Sequence, residues 1–173
     1  DHGTRNPLHA VILGLGVDRS LYITREWRYD SALKRRQLSV AQYADELRSF
    51  LRSVPIPGTA LRGITPERTI VDPSALELRV TLHQAGIATV VADNAVLPGI
   101  QALSSLFSLD LLRIHESCKG LLDEIPGYSW DDDSIEDQPV KTADHGIDAM
   151  RYAAYSTRAV WRTLLRHHFA LAA

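Results

Sequence analysis

The alternation of short apolar segments with helical patterns is the feature that most constrains how this chain folds. Residues 10–16 (AVILGLG) and 21–29 (LYITREWRY) are rich in β-branched and aromatic side chains. The turn-like residues 17–20 separate them, so the two segments predict a hairpin. Further strands are predicted at 69–72, 87–92 and 109–115. Helical patterns between these strands indicate an α/β fold with a mixed central sheet and helices on both faces.

Capping patterns predict where the helices begin. Ser39 followed by Gln42 is a capping box for one helix, and Ser74 followed by Glu77 repeats the pattern for a helix that ends at Gly86. Periodicity and composition predict the remaining elements, which are helices over 98–107 and 117–124, an exposed loop over 127–140, and a long last helix that opens on DHGIDAMRYA at 144–153.

Composition fits one globular domain, residues 1–173, and excludes several kinds of chemistry. The 173 residues are 45% hydrophobic, which suffices for a full core. The single cysteine, Cys118, excludes an internal disulfide and a cysteine-based zinc cluster, and we expect it to be a small buried hydrophobe. No apolar run approaches the ~20 residues of a membrane span, and DHGTRNP at the start is not a signal peptide, so we expect a soluble intracellular protein.

Charge gives no global signal of nucleic-acid binding, because the formal net charge is −2. Basic side chains nevertheless cluster locally. The clusters are Arg25, Arg28, Lys34, Arg35 and Arg36 early in the chain, and Arg158, Arg162 and Arg166 in the last helix. Two interpretations stay open for them, a solvated surface and a surface that contacts phosphates.

The last helix opens with two carboxylates and an imidazole. Residues three and four apart share a helix face, so Asp144, His145 and Asp148 can converge on one point. The helix dipole alone accounts for Asp144 in or near the first turn. It accounts less well for Asp148, which is predicted a turn further in and is a poor helix former. A metal ion or a bound phosphate is therefore a candidate ligand.

Two more aspartates stand at comparable places. Asp1 precedes the hairpin, and Asp72 ends a predicted strand just before a helix. In α/β sheets, ligands bind at the carboxyl ends of strands, beside helix termini. Hard cations such as Mg²⁺ take oxygen ligands and keep several waters, so two or three carboxylates with room for a phosphate make a suitable site. A divalent cation also removes the repulsion between such carboxylates.

Five motifs follow one another in a fixed order from the first residue of the chain to residue 153. They are DHGTRNPLHAVILGLG at 1–16, IVDPSALELRVTLHQAGI at 70–87, ADNAVLPGI at 92–100, YSWDDD at 128–133 and DHGIDAMRYA at 144–153. Together they resemble the C-terminal nuclease domain of the large terminase subunit of tailed bacteriophages, which has an RNase H-like fold of the retroviral integrase superfamily. The ATPase domain that precedes the nuclease in that family is absent from this sequence, which has no Walker A motif. We therefore expect no ATP hydrolysis and no DNA translocation by this chain.

The resemblance implies a site and a reaction. It puts Asp1, Asp72 and Asp148 at the family's metal-binding carboxylates, with Asp1 bridging, and His145 at its active-site histidine. Asp144 is an alternative ligand, against the plainer interpretation of a carboxylate favoured by the dipole. The implied reaction is hydrolysis of concatemeric double-stranded DNA with two Mg²⁺ or Mn²⁺ ions. One ion activates water, and the other stabilises the departing 3′ oxygen.

The resemblance also implies partners and a location. The partners are double-stranded DNA, the portal protein, the small terminase subunit and the ATPase domain of the full-length chain, in the host cell cytoplasm and away from membranes. Two alternatives stay open. One is a Holliday-junction-resolvase or transposase-like nuclease of the same superfamily, and the other is a non-catalytic module that docks on DNA or the portal.

Several other side chains have a structural and a functional interpretation. Glu26 is in phase with the hairpin strand and is expected to be exposed, although it could reach the metals. Trp27 and Trp130 could stack on bases, but burial or half-burial is the ordinary fate of tryptophan. Arg151 could pair with an acid or touch phosphate as part of the basic set. His167 and His168 are expected to complement the dipole at the end of the last helix.

Overall fold

The computed structural model describes residues 7–128 and 144–165. The chain divides into two compact units. The described part of the first unit is residues 7–8 and 27–92, and that of the second is 9–26, 93–128 and 144–165. Each unit has its own hydrophobic core. The single-domain organisation stays a prediction.

A three-stranded sheet contains the predicted hairpin. Its strands are β1 (Leu8–Leu15), β2 (Leu21–Tyr29) and β5 (Leu112–Ile114), in the order β1-β2-β5. Residues 16–20 join β1 to β2, with Gly16 N donating to Ser20 O at 2.8 Å. Strand β5 lies parallel to β2. It is shorter than predicted because the chain turns at Asp110, which has a positive φ of 54°.

Helices complete the second unit. They are α4 (Val96–Ser108), α5 (Lys119–Glu124), α6 (His145–Ser156) and α7 (Arg158–Leu164). Ile23, Leu106 and Leu121 are fully buried in its core, and Met150 of α6 packs with them. The core thus fixes α6, which carries the candidate site, against β2, α4 and α5.

In the first unit two helices are followed by a strand, a helix and a second strand. Its elements are α1 (Ser31–Lys34), α2 (Val40–Ser53), β3 (Thr69–Val71), α3 (Leu76–Gln84) and β4 (Thr89–Val91). Strands β3 and β4 pair in parallel. The capping box at Ser39 and Gln42 is confirmed, since both reciprocal hydrogen bonds are present. Leu78 and Leu82 of α3 pack with Val71 in the core.

Two predicted helix boundaries are wrong. Helix α3 begins at Leu76 without a side-chain cap, so Ser74 and Glu77 form no capping box. Ser74 instead donates its backbone N–H and its hydroxyl to Asp72 Oδ1, the local turn that aspartate favours.

The long last helix is two helices, separated at Thr157. The Thr157 hydroxyl donates to the carbonyls of Ala153 and Ala154, and Trp161 Nε1 also donates to Ala154 O at 2.7 Å. Side chains thereby take carbonyls that the continuing helix would use. Where the predicted loop begins, residues 125–127 form a 3-10 turn, and residues 129–140 lie outside the described residues. None of the helices within 7–128 and 144–165 has both the length and the apolar character to cross a bilayer.

Candidate functional site

The start of α6 brings together three of the predicted site residues. Asp144 is the N-cap residue, His145 opens the helix, and Asp148 lies in its first turn. Asp148 is therefore nearer the helix N-terminus than predicted. His145 Nδ1 lies 4.0 Å from Asp144 Oδ1, and both side chains are largely buried. Asp148 is one-third exposed, at 33%. All three residues thus lie at the same helix end, with His145 close to Asp144, and their convergence on one ligand stays a prediction.

Tyr128 reports the charge at this helix end. The pKa of its hydroxyl is raised to about 12, first by burial and then by the negative charges of Asp148 and Asp144, against a lowering by the charge of Arg151. Among the described residues, no group hydrogen-bonds to this buried hydroxyl. The charges of Asp144 and Asp148 therefore both affect the buried hydroxyl of Tyr128, the first residue of the YSWDDD motif.

Arg151 holds Asp148 in place. Its side chain is 3% exposed, and its Nη2 and Nε donate to Asp148 Oδ1 at 2.8 and 3.2 Å. Nη1 donates to the carbonyls of Asn94 and Ala95, at 3.0 and 3.1 Å. Of the two interpretations of Arg151, pairing with an acid is the one observed. Contact with a phosphate would require this network to open.

Glu124, and not Asp144, caps α6. Glu124 Oε2 accepts the backbone N–H groups of Gly146 at 2.6 Å and Ile147 at 3.3 Å. Asp144 makes no side-chain cap hydrogen bond. A carboxylate at a helix N-terminus is stabilising by up to about 2 kcal/mol when partly buried. The carboxylate that complements the dipole of α6 is therefore that of Glu124, a residue that the sequence analysis missed.

Glu26 caps α5 in the same way as Glu124 caps α6. The prediction that Glu26 is exposed is wrong. Its carboxylate is only 12% exposed and accepts the N–H groups of Gly120 and Leu121, at 2.7 and 2.9 Å. The imidazole of His9 joins the two acids. Its Nε2 lies 2.9 Å from Glu26 Oε2, and its Nδ1 lies 3.9 Å from Glu124 Oε1.

Asp72 lies in the first unit, directly after β3, and is described within that unit. Ser74 occupies its Oδ1. Asp1 lies outside the described residues, as do Trp130, Arg166, His167 and His168. No three His, Cys, Asp or Glu side chains in the described ranges form a ready-made metal cluster. The α6 acids nevertheless suit a hard cation, because within 7–128 and 144–165 no donor occupies Asp148 Oδ2 and carboxylate oxygens are the ligands of Mg²⁺.

The predicted basic residues lie in both units. In the first unit Lys34, Arg35 and Arg36 are exposed, and Lys34 Nζ lies 5.3 Å from the centre of the Tyr29 ring. Trp27 is half-buried, as predicted, and stacks on Tyr29. In the second unit Arg25 donates to Ser117 Oγ at 2.9 Å.

Along α7, Arg158 pairs with Asp93 at 2.9 Å. Arg162 is exposed there and lies over the ring of Trp161. Arg28 is half-buried in the first unit.

Known proteins resemble this chain over most of its length. The large terminase subunit of Escherichia phage T5 is 27% identical over 163 residues, which are 90% of this chain and 34% of the relative. The large terminase of a thermophilic bacteriophage, solved with ADP, is 31% identical at a TM-score of 0.76, over 91% of this chain and 37% of that one. The chain thus spans about a third of the length of these relatives.

A shorter solved structure matches along most of its own length. The large-terminase nuclease domain of bacteriophage SPP1, solved with bound Mn, has a TM-score of 0.59 at 20% identity, over 88% of this chain and 80% of that one. No protein-family model matches the chain. The α/β fold, the order of its elements and these likenesses agree with the motifs. The resemblance read from the sequence is therefore confirmed: the chain resembles phage large terminases and has the RNase H-like fold of their nuclease domain.

Proposed function

We propose that this chain is the nuclease domain of a viral DNA-packaging terminase large subunit and cuts double-stranded DNA with the help of divalent metal ions. The observation that carries the proposal is the start of α6, where Asp144, His145 and Asp148 lie within the N-cap and first turn of one helix on a chain that has this fold. The comparisons support a phage DNA-packaging nuclease. Concatemeric phage DNA is the proposed substrate.

We propose Asp1, Asp72 and Asp148 as the metal ligands, with Asp144 as the alternative. The Mn in the SPP1 domain and the oxygen donors of these side chains support a divalent cation. When bound, two Mg²⁺ or Mn²⁺ ions would supply an acidified water and charge neutralisation at the departing 3′ oxygen. Arg151 orients Asp148 for this role, because it holds one carboxylate oxygen and leaves the other to a ligand.

His145 is proposed to act on water or on the scissile phosphate. Its ring is partly exposed beside Asp144, and an imidazole exchanges protons near neutral pH. The basic residues Arg25, Arg28, Lys34, Arg35 and Arg36 are proposed to contact the DNA backbone, with the exposure of Lys34, Arg35 and Arg36 in support. Arg151, the sixth predicted contact, reaches DNA only if its network opens.

The remaining partners follow from the relatives. Because the chain spans about a third of the large terminases of phage T5 and of the thermophilic bacteriophage, we propose that it works beside an ATPase domain of the same polypeptide. The portal protein and the small terminase subunit are the other proposed partners, in the host cytoplasm.

The test is digestion of plasmid DNA in EDTA, Mg²⁺ and Mn²⁺, with Asp148→Asn beside the unmodified chain. Asp123→Asn is the matched control, because Asp123 is exposed on α5. Cutting that needs metal and is lost only in Asp148→Asn is expected. A strong preference for branched over linear DNA would favour a junction resolvase. Neither cutting nor metal binding would favour a docking module.

A further inference from the structure

Two helices that flank the candidate site start on buried acids from other elements. Glu26 of β2 accepts the first amides of α5, and Glu124 at the end of α5 accepts those of α6. His9 of β1 lies between the two carboxylates, with its side chain 1% exposed. We call these three residues, His9, Glu26 and Glu124, the acid–histidine bridge. It links β1 and β2 to the helix that carries Asp148.

Gly146 shows how closely α6 is pressed onto this bridge. A Cβ at Gly146 would lie 2.6 Å from His9 Cε1 and 2.8 Å from Glu124 Oε2. Real side chains do not approach so closely, and both neighbours are held by hydrogen bonds. Glycine is an unfavourable residue within a helix, so its use in the first turn of α6 reflects this contact.

Asp144 makes the arrangement informative. It occupies the N-cap position, where aspartate ordinarily accepts the amides of the first turn. Here Glu124, at the end of α5, accepts those amides. The Asp144 carboxylate lies instead beside His145, and its charge helps to raise the pKa of Tyr128. Because Glu124 accepts the first amides of α6, the Asp144 carboxylate makes no hydrogen bond to them.

We propose that the acid–histidine bridge is a positioning unit for the metal-binding end of α6. By capping α6, Glu124 keeps the Asp144 carboxylate off the helix amides and fixes His145 and Asp148 relative to it. His9 and Glu26 hold Glu124 and α5 in place for this task. The inference deepens the proposed nuclease function and rests on it. The bridge residues themselves need not touch metal or DNA.

The test compares Glu124→Ala with Glu124→Gln in the whole chain, using Asp123→Ala on the same helix as the control. Mn²⁺ affinity is measured by electron paramagnetic resonance of the free ion, alongside kcat and KM for plasmid cutting and the melting temperature. We expect Glu124→Ala to lose about tenfold or more in Mn²⁺ affinity and kcat, as residues that support metal ligands do, with KM for DNA unchanged. Glu124→Gln still accepts both amides and should retain most of the affinity.

A second variant guards against unfolding of Glu124→Ala. Gly146→Ala displaces the helix start without removing an acid, and Gly127→Ala is its control because a Cβ there meets nothing within 4 Å. A folded Glu124→Ala or Gly146→Ala with unchanged Mn²⁺ affinity and kcat would overturn the proposal. So would an equal loss in Glu124→Gln and Glu124→Ala.

Failure of the proposed function looks different. It is seen with the unmodified chain, which would then neither bind Mn²⁺ nor cut DNA, and the inference would fall with it. A chain that binds Mn²⁺ without cutting still tests the bridge through metal affinity alone.

Discussion

Arg151 and Asp148, three residues apart on α6, form an ion pair in which Nη2 donates to Oδ1 across 2.8 Å. The same guanidinium donates to two carbonyls just before α4 begins. Its burial separates this pair from surface ion pairs, which contribute little to stability. One residue thus orients a proposed metal ligand and joins α6 to the start of α4.

Substitution of Asp148 separates the two roles of its carboxylate. Both Asp148→Asn and Asp148→Ala should abolish DNA cutting, because neither offers a charged metal ligand. Asp148→Asn keeps an oxygen for Arg151, whereas Asp148→Ala should lower the free energy of unfolding by about 1–3 kcal/mol, since a buried guanidinium loses an acceptor. Urea unfolding of the two variants measures the difference. Equal stability would show that Arg151 does not depend on Asp148.

Gly99→Ala tests the packing of Arg151 against α4. Alanine is favoured over glycine in a helix by about 1 kcal/mol, so propensity alone predicts stabilisation. A Cβ at Gly99 would, however, lie 2.8 Å from Arg151 Cγ and 2.9 Å from Cδ. We expect this overpacking to prevail and to lower the free energy of unfolding by about 1–3 kcal/mol. Gly127→Ala is the control, and a Gly99→Ala variant more stable than the parent would contradict the expectation.

Local sequence signals predicted the elements that depend on local interactions. The hairpin around residues 16–20 and the capping box at Ser39 and Gln42 are set by residues close in the chain, and both are observed. The second capping box failed because Ser74 donates its N–H and hydroxyl to Asp72, and its hydroxyl oxygen does not accept an amide of the helix start. Helical periodicity continued through Thr157, where hydroxyl and indole donors interrupt the helix.

For the candidate site, the sequence predicted only that residues close in the chain lie together at the start of α6. Asp144, His145 and Asp148 follow from helical spacing, whereas the contacts of Glu124 with Gly146 and of Glu26 with Gly120 join residues 22 and 94 positions apart. No local pattern encodes such contacts. The one available signal was Gly146 itself, a poor helix former in the first turn of a helix. Glu26 was expected to be exposed because its position in the strand pattern does not reveal that the amides of a helix far along the chain pack against it.

Cys118 offers a simple probe of the second core. The expectation of a small buried hydrophobe is confirmed, since its exposure is 0%. Burial, and then the charge of Glu26, raise the pKa of the thiol, so little thiolate forms at neutral pH. We expect a disulfide reagent such as DTNB to label the native chain far more slowly than the urea-unfolded chain. Labelling of the native chain at the rate of a free thiol would contradict the burial of Cys118 in this core. Because the chain has one cysteine, one label per chain is the maximum.

Tyr128 allows the charge at the start of α6 to be measured directly. Its pKa is raised to about 12, so the folded state favours the neutral phenol. The unfolded chain releases this proton near the ordinary value of about 10. The contribution of the neutral Tyr128 phenol to the free energy of unfolding is therefore fully present below pH ~10 and is lost as the pH rises towards 12. In Tyr128→Phe, melting temperatures should fall less steeply over that interval.

The same group tests whether Asp148 faces it. Absorbance titration at the tyrosinate band, in EDTA and with Tyr128→Phe as the blank, gives the pKa of Tyr128. Because the Asp148 charge helps to raise that pKa, Asp148→Asn should lower it towards 10, and an exposed control, Asp123→Asn, should leave it unchanged. An unaltered Tyr128 pKa in Asp148→Asn would mean that the carboxylate points elsewhere. The assignment of Asp148 to the proposed metal site would then lose its electrostatic support.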